Sequence, residues 1–142
     1  MELTLKMVVT SGEKEQVMAI RREVFIKEQK VPEKLEIDEY EDRSTSILAL
    51  WGISPIGTAR WRKTDSGIKL ERFAVLRPYR NQNVGRSLLE FILQQVPLEN
   101  NIYLFAQEQV IGFYEKNKFK VSGKRFYEAG IPHFKMTLKS GK

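Results

Sequence analysis

The sequence predicts one α/β domain of the α+β kind, in which a mixed and mostly antiparallel central sheet is flanked by helices. Three observations predict it. The 142 residues, 42% of them hydrophobic, supply one core and leave no room for a second, so residues 1–142 read as a single domain. Apolar residues alternate over several short segments and recur at helical spacing over a few others. A strand, a helix and a strand in succession between residues 68 and 107 form a βαβ crossover, which sets a parallel pair into an otherwise antiparallel sheet.

The elements follow in order. Residues 3–9 alternate as a first strand, and from Glu13 to about Gln29 the apolar Val17, Ile20 and Val24 fall at helical spacing, with Ser11 as the cap. The segment VPEKLEIDEYEDRS comes next, where Pro32 and clustered acids predict an irregular, negatively charged loop. Ser46–Trp51 and Ile56–Lys63 read as strands joined through Gly52 and Pro55, and Asp65, Ser66 and Gly67 turn the chain into a third strand, Ile68–Leu76. Asn83–Gln95 carries Val84, Leu88 and Ile92 on one face and stops before Pro97, as an amphipathic helix does. A strand at Asn101–Gln107, a short helix from Glu108 to Asn117, and strands near Lys120–Ser122 and His133–Lys139 complete the prediction.

Composition narrows the chemistry. Cysteine is absent, which excludes disulfides, a thiol nucleophile and thiolate metal sites. A single histidine, His133, speaks against a histidine metal cluster or a Ser-His-Asp triad, so metal-free chemistry is expected. No run approaches the roughly 20 apolar residues of a membrane span, and a soluble, unprocessed, cytoplasmic protein is expected, with neither membrane nor nucleic acid as partner. The net charge of +6 points to an anionic ligand without choosing one.

The most informative stretch is LERFAVLRPYRNQNVGRSLLEF, where an apolar strand passes through a short basic connection into the first turn of a helix. Free backbone N–H groups and the positive end of the helix dipole converge there, near Gln82, Asn83, Val84, Gly85 and Arg86, and can hold a phosphate. Gly85 lets the backbone approach closely, while Arg77, Arg80 and Arg86 surround the turn and can pair with further phosphates. A solvated basic helix cap is the competing reading.

The run Arg80-Asn81-Gln82-Asn83-Val84-Gly85 resembles the acyl-CoA-binding signature of the GNAT N-acetyltransferase superfamily: Arg or Gln, two residues, Gly, one residue, then Gly or Ala. Asn83 stands where the family usually has glycine. AQEQVIGFYEKNKF is similar to the family's strand, helix and tyrosine segment, with Lys118 in place of the usual glycine before Phe119. EVFIKEQKVPEKLEIDEYED and EAGIPHFKM resemble the YjcF/ElaA-like branch, so the likeness covers roughly residues 20–138. It implies a GNAT-like fold, acetyl-CoA as cosubstrate, and a coenzyme lying between two parallel neighbouring strands, where the backbone of Phe73 and Val75 hydrogen-bonds the pantetheine arm.

The resemblance implies N-acetyl transfer to a primary amine. A lysine-like amine is protonated at pH 7, and offering its neutral form costs roughly 4.6 kcal/mol, so a proton acceptor helps. Glu71 is the first candidate, because strict alternation along Lys69–Val75 puts it on one face with Phe73 and Val75. Pairing with Arg60, Arg62 or Arg72 is its structural alternative. His133 is the second candidate, histidine being the side chain suited to a base near neutrality, and water the third. Tyr114, in the position of the family's tyrosine, can hydrogen-bond the leaving thiolate; full proton transfer from a tyrosine to a thiolate is uphill by roughly 2 kcal/mol. A core tyrosine beside Phe113 is the alternative. With no cysteine available, direct attack in a ternary complex is expected rather than a thiol acyl-enzyme.

For the acceptor, Glu36 and Asp38, with Glu33, Glu39, Glu41 and Asp42, make the early loop acidic and able to attract a cationic amine. Glu28, Gln29 and Gln107 match the branch and are candidates for shaping the pocket. Rival readings are a nucleic-acid-binding domain, a non-catalytic acyl-CoA sensor and an acyltransferase using longer acyl donors. The oligomeric state is open, a homodimer included.

Overall fold

In the computed structural model, which describes residues 2–97 and 100–139, the chain runs β1 (Leu3–Met7), α1 (Ser11–Arg21), a π-helical continuation (Arg22–Glu28) and α2 (Glu33–Glu36). It goes on through β2 (Thr45–Trp51), β3 (Ser54–Thr64), β4 (Gly67–Val75), α3 (Val84–Gln95), β5 (Ile102–Gln107) and α4 (Ile111–Lys116). It closes with β6 (Phe119–Val121), β7 (Phe126–Glu128) and β8 (Ile131–Leu138). One eight-stranded sheet results, in the order β1-β2-β3-β4-β5-β8-β6, with β7 added on β8. Every neighbouring pair is antiparallel except β4 and β5, which are parallel and joined through α3.

The helices cover the two faces of the sheet separately. α1 and its continuation put Val17, Ile20 and Val24 against Leu48 and Ala74 on one face. On the other, Val84, Leu88, Leu89 and Ile92 of α3 and Tyr114 of α4 meet Ile47, Ala49, Ile68, Leu70, Ile102, Leu104 and Met136. Leu88 and Ile92 are fully buried there, so truncating either to alanine costs about 2–5 kcal/mol. At the turn into β4, Gly67 has φ +133° and its missing Cβ would lie 2.1 Å from the Asn101 carbonyl oxygen. No other residue fits where β4 begins to pair with the segment before β5.

Several boundaries differ from the sequence expectation for identifiable reasons. Thr10, not Ser11, caps α1: its Oγ1 accepts from the Glu13 amide at 3.1 Å while the Glu13 carboxylate accepts from the Thr10 amide at 2.9 Å. The predicted helix does extend to about Gln29, but beyond Arg21 it widens, and the Gln29 amide reaches five residues back to Val24. β1 stops at Met7 and β8 starts at Ile131. The sequence reading missed β7 because three residues show no periodicity; its hairpin turns through Ala129 (φ 53°) and Gly130 (φ 76°).

Candidate functional site

β4 and β5 pair only from Ile68–Leu70 to Ile102–Leu104. Beyond that point each follows its outer neighbour, β4 staying with β3 to Val75↔Gly57 and β5 with β8 to Gln107↔His133. The sheet therefore opens between them as a V. Its cause is a bulge in β4: between Arg60↔Glu71 and Thr58↔Ala74 the strand carries one residue more than β3, and Arg72 sits at φ +59°.

The bulge reverses the strand's alternation. Before it Ile68 and Leu70 face α3; after it Phe73 and Val75 do. The backbone reverses too, for the Ile68 amide bonds toward β5 (Asn101 carbonyl, 2.7 Å) and the Leu76 amide toward β3 (Ile56 carbonyl, 2.8 Å). The amides and carbonyls of Phe73 and Val75 are thereby turned into the opening, where they need partners other than a strand.

At the end of the opening stands α3. A 3-10 turn (Arg77–Tyr79) leads to Asn81 and Asn83, both left-handed at φ 63° and 65°. Asparagine is among the few residues that tolerate this conformation, so both positions suit the backbone they hold. Asn83 is the N-cap residue but its side chain caps nothing. The first intrahelical bond runs from the Ser87 amide to the Asn83 carbonyl (3.0 Å), so the amides of Val84, Gly85 and Arg86 have no acceptor within the helix. A Cβ on Gly85 would meet Phe113 of α4 at 3.4 Å, so that ring walls one side of the turn.

The side chains around this turn divide. Arg86 is exposed and only loosely paired with Glu90 (3.5 Å), and Arg77 is exposed beside Glu28 (3.1 Å). Gln82 reaches back to the Pro78 carbonyl at 3.2 Å. Arg80 departs from the expectation that it awaits a phosphate. Its Nε donates to the Val75 carbonyl at 2.7 Å, and its two terminal nitrogens grip both oxygens of Glu28 at 3.0 and 2.7 Å.

Glu71 requires a correction. The bulge puts it on the face opposite Phe73 and Val75, where Arg60 (2.6 Å), Arg62 (2.8 Å) and Lys69 (3.3 Å) surround its carboxylate. Burial pushes this carboxyl up, but Arg60, Lys69 and Arg62 together outweigh it and hold it below the ordinary carboxylate value. A carboxylate so held is a poor proton acceptor.

The acidic loop is corrected in the same way. Glu36, 2% exposed, binds Arg21 and Arg72 at 2.9 Å each, Asp38 binds Arg60 at 2.6 Å and Arg72 at 3.1 Å, and Glu41 binds Arg21 at 2.8 Å. For Asp38 and Glu41 burial raises the carboxyls, and the arginines outweigh it. These acids face inward onto arginines and anchor the loop rather than offering free charge to an amine. Only Glu33, Glu39 and Asp42 remain exposed. Of the partners Arg21 and Arg60, each 1% exposed, the sequence reading weighed Arg60 only as a partner of Glu71 and missed Arg21. An arginine at a core-facing position of a helix or strand is the signal that marks them.

The remaining candidates divide between the faces of the sheet, Tyr114 on the α3 side and His133, reached through Phe126 and Phe105, on the side of Lys69 and Glu71. Tyr114, 6% exposed, sits edge-on to Phe73 at 5.9 Å and to Phe113 at 4.9 Å. Burial pushes its hydroxyl pKa up, so it stays a donor at all ordinary pH values. His133 stacks on Phe126, and its Nδ1 lies 2.7 Å from the Ile131 carbonyl. A carbonyl only accepts, so Nδ1 carries the proton and Nε2 is the basic nitrogen of the neutral ring. Gln107 Nε2 donates to Gln29 Oε1 at 2.8 Å, tying the end of β5 to the residue after the π-helical segment. Lys118, where a glycine was noted as usual, is left-handed at φ 74°. Among the described residues no cluster of His, Cys, Asp and Glu could hold a metal, and no helix is long and apolar enough to cross a membrane.

A mixed sheet opened between two parallel strands, with an uncapped helix start at its mouth, brings unpaired strand groups and free helix amides together where an anionic ligand can meet both. The profile of the acetyltransferase (GNAT) domain matches residues 8–140, and the chain belongs to that family. It is 38% identical over 138 residues to the uncharacterized N-acetyltransferase YjcF of Bacillus subtilis (strain 168), covering 93% of this chain and 98% of that protein. The fold is similar to that of Escherichia coli ElaA, with TM-score 0.86 and 22% identity, over 97% of this chain and all (100%) of the other. It also resembles the PaiA N-acetyltransferase of Thermoplasma acidophilum, solved in complex with coenzyme A, with TM-score 0.74 and 17% identity, covering 99% and 100%.

Proposed function

We propose that this protein transfers the acetyl group of acetyl-CoA to a primary amine by direct attack, with both substrates bound together. The observation that carries the reading is the opening between β4 and β5 where it ends on three amides without intrahelical acceptors. The amides of Val84, Gly85 and Arg86 suit a diphosphate, with the Gly85 position leaving room for close approach and Gln82, Asn83 and Arg86 at its rim. The pantetheine amides then complete the strand edge at Phe73 and Val75. Because Arg80 already donates to the Val75 carbonyl, the Val75 amide and both groups of Phe73 are the main partners. That the similarly folded PaiA enzyme was solved with coenzyme A supports coenzyme A as the ligand.

In the reaction the amine lone pair attacks the thioester carbon, the C–N bond forms and the C–S bond breaks. A strand amide from Phe73 or Val75 stabilises the charge that develops on the carbonyl oxygen. The Tyr114 hydroxyl, held neutral by burial, donates a hydrogen bond to the departing sulfur. His133 Nε2 accepts the amine proton directly or through water, a role for which its fixed Nδ1 proton prepares it and for which Glu71 is unsuited. Titration calorimetry with acetyl-CoA, followed by thiol release with a panel of primary amines, tests the proposal. Binding near one equivalent with amine-dependent thiol release is expected; absence of coenzyme binding overturns it. Tyr114→Phe should lower kcat about tenfold or more while leaving the coenzyme Kd within about twofold, and an unchanged kcat removes Tyr114 from the mechanism.

A further inference from the structure

Two consecutive residues at the end of the π-helical segment hold the two lips of the opening. Glu28 takes Arg80 with both oxygens, and Arg80 in turn holds the Val75 carbonyl on the β4 lip. Gln29, the next residue, accepts from Gln107 at the end of β5, the other lip. The π-helical geometry makes this reach: the Gln29 amide closes a five-residue turn on Val24, and Lys30 then leaves at φ 63°. Arg80 belongs to the connection between β4 and α3, so the same carboxylate also fixes the turn that presents the open amides.

We propose that Glu28 is a positioning residue for acyl transfer: acting through Arg80, it sets the distance between the α3 turn and the β4 lip at which the coenzyme is gripped. The inference rests on the proposed coenzyme site. Geometry and electrostatics give it opposite signs to test. Glu28 is a negative charge beside a turn meant for a diphosphate, so by charge alone its removal tightens binding, and an Arg80 set free would tighten it further. By positioning, its removal loosens binding, since a fixed frame of donors is lost along with two charge-assisted bonds.

The experiment measures acetyl-CoA Kd by calorimetry, kcat with both substrates saturating, and thermal midpoints for wild type, Glu28→Gln and Arg80→Lys. The inference expects Glu28→Gln to raise Kd about tenfold, the loss of one strong charged contact, and to lower kcat. Arg80→Lys keeps the charge but not the bidentate fork or the Nε bond, and should do the same. Equal or tighter coenzyme binding by Glu28→Gln overturns the inference, as does a wild-type Kd for Arg80→Lys. A lowered midpoint with unchanged Kd and kcat also overturns it, reducing the pair to a structural tie. If Glu28→Gln fails to fold, Arg80→Lys decides alone. Failure of wild type to bind acetyl-CoA would instead strike the proposed function, so the two failures are told apart.

Discussion

α1 and α3 begin with the same liability and treat it in opposite ways. Each helix opens with backbone amides that lack an acceptor inside the helix. At α1, Thr10 and Glu13 satisfy each other's amides, the Glu13 carboxylate also takes the Val9 amide at 2.8 Å, and Lys6 pairs with it. That helix start is closed by its own sequence. At α3 the cap residue Asn83 is left-handed and bonds nothing, and the third helical position, held by Glu13 in α1, is held by Arg86. A cation at a helix N-terminus opposes the dipole, an opposition that an anion held between the two would relieve. The difference teaches that a helix start can be read for function by what its sequence declines to supply.

Gly85→Glu attacks this contrast hardest, because it places a carboxylate where the diphosphate should lie. Like charges at a binding surface cost several kcal/mol, so acetyl-CoA affinity should fall about 100-fold or more, as calorimetry would show. The fold should tolerate it: a Cβ meets only ring atoms of Phe113 at 3.4 and 3.7 Å, and an acid suits the first turn of a helix. Unaltered affinity in a folded variant would put the phosphates elsewhere.

Much of this was legible in the sequence, and the failures have causes. The α3 periodicity and the basic connection are local signals, and the structure has the helix where those signals put it. The β4 bulge is not local. Nothing in Leu70-Glu71-Arg72-Phe73 announces a positive φ, which arginine ordinarily avoids; it is held by bonds from Arg72 to the Glu36 carbonyl and the Asp38 carboxylate, more than thirty positions away in the chain. Strict alternation then misplaced Glu71. The acidic loop misled for the same reason, since its charges are visible in the sequence and their pairing with Arg21, Arg60 and Arg72 is not. The cap of α1 was misread by one residue although Thr10-Ser11-Gly12-Glu13 contains the Thr-x-x-Glu box.

The closed start should behave in the opposite manner to the open one. Thr10→Ala removes the cap acceptor and should lower unfolding free energy by about 1 kcal/mol in denaturant melts, with acetyl-CoA affinity unchanged. Glu13 adds a pH signature. Its pKa is lowered from 4.5 to about 2, through the hydrogen bond from Lys6 first and the Thr10 and Val9 amides next. A group depressed on folding stabilises above its unfolded pKa and ceases to as pH falls through the folded value. The stability advantage of wild type over Glu13→Gln should therefore be full above about pH 5 and fade between about 4.5 and 2. An advantage that survives below that window would mean that the carboxylate charge is not what closes α1.

The smallest effect is the most specific. Asn83→Gly restores the glycine usual in the family at a position whose φ is 65°. Asparagine bears left-handed geometry better than other side chains but not for free, whereas glycine bears it without strain and pays instead in the entropy of the unfolded chain. These terms nearly cancel, so the midpoint of unfolding should shift by no more than about 0.5 kcal/mol equivalent in either direction. Binding has no such cancellation. The Asn83 side chain caps no amide of α3, so it adds bulk at the mouth of the turn without closing it, and its removal should tighten acetyl-CoA by about two- to fivefold, under 1 kcal/mol. If glycine weakened the coenzyme instead, the Asn83 amide would be a ligand in its own right, and the open start of α3 would owe part of its function to the very side chain that leaves it uncapped.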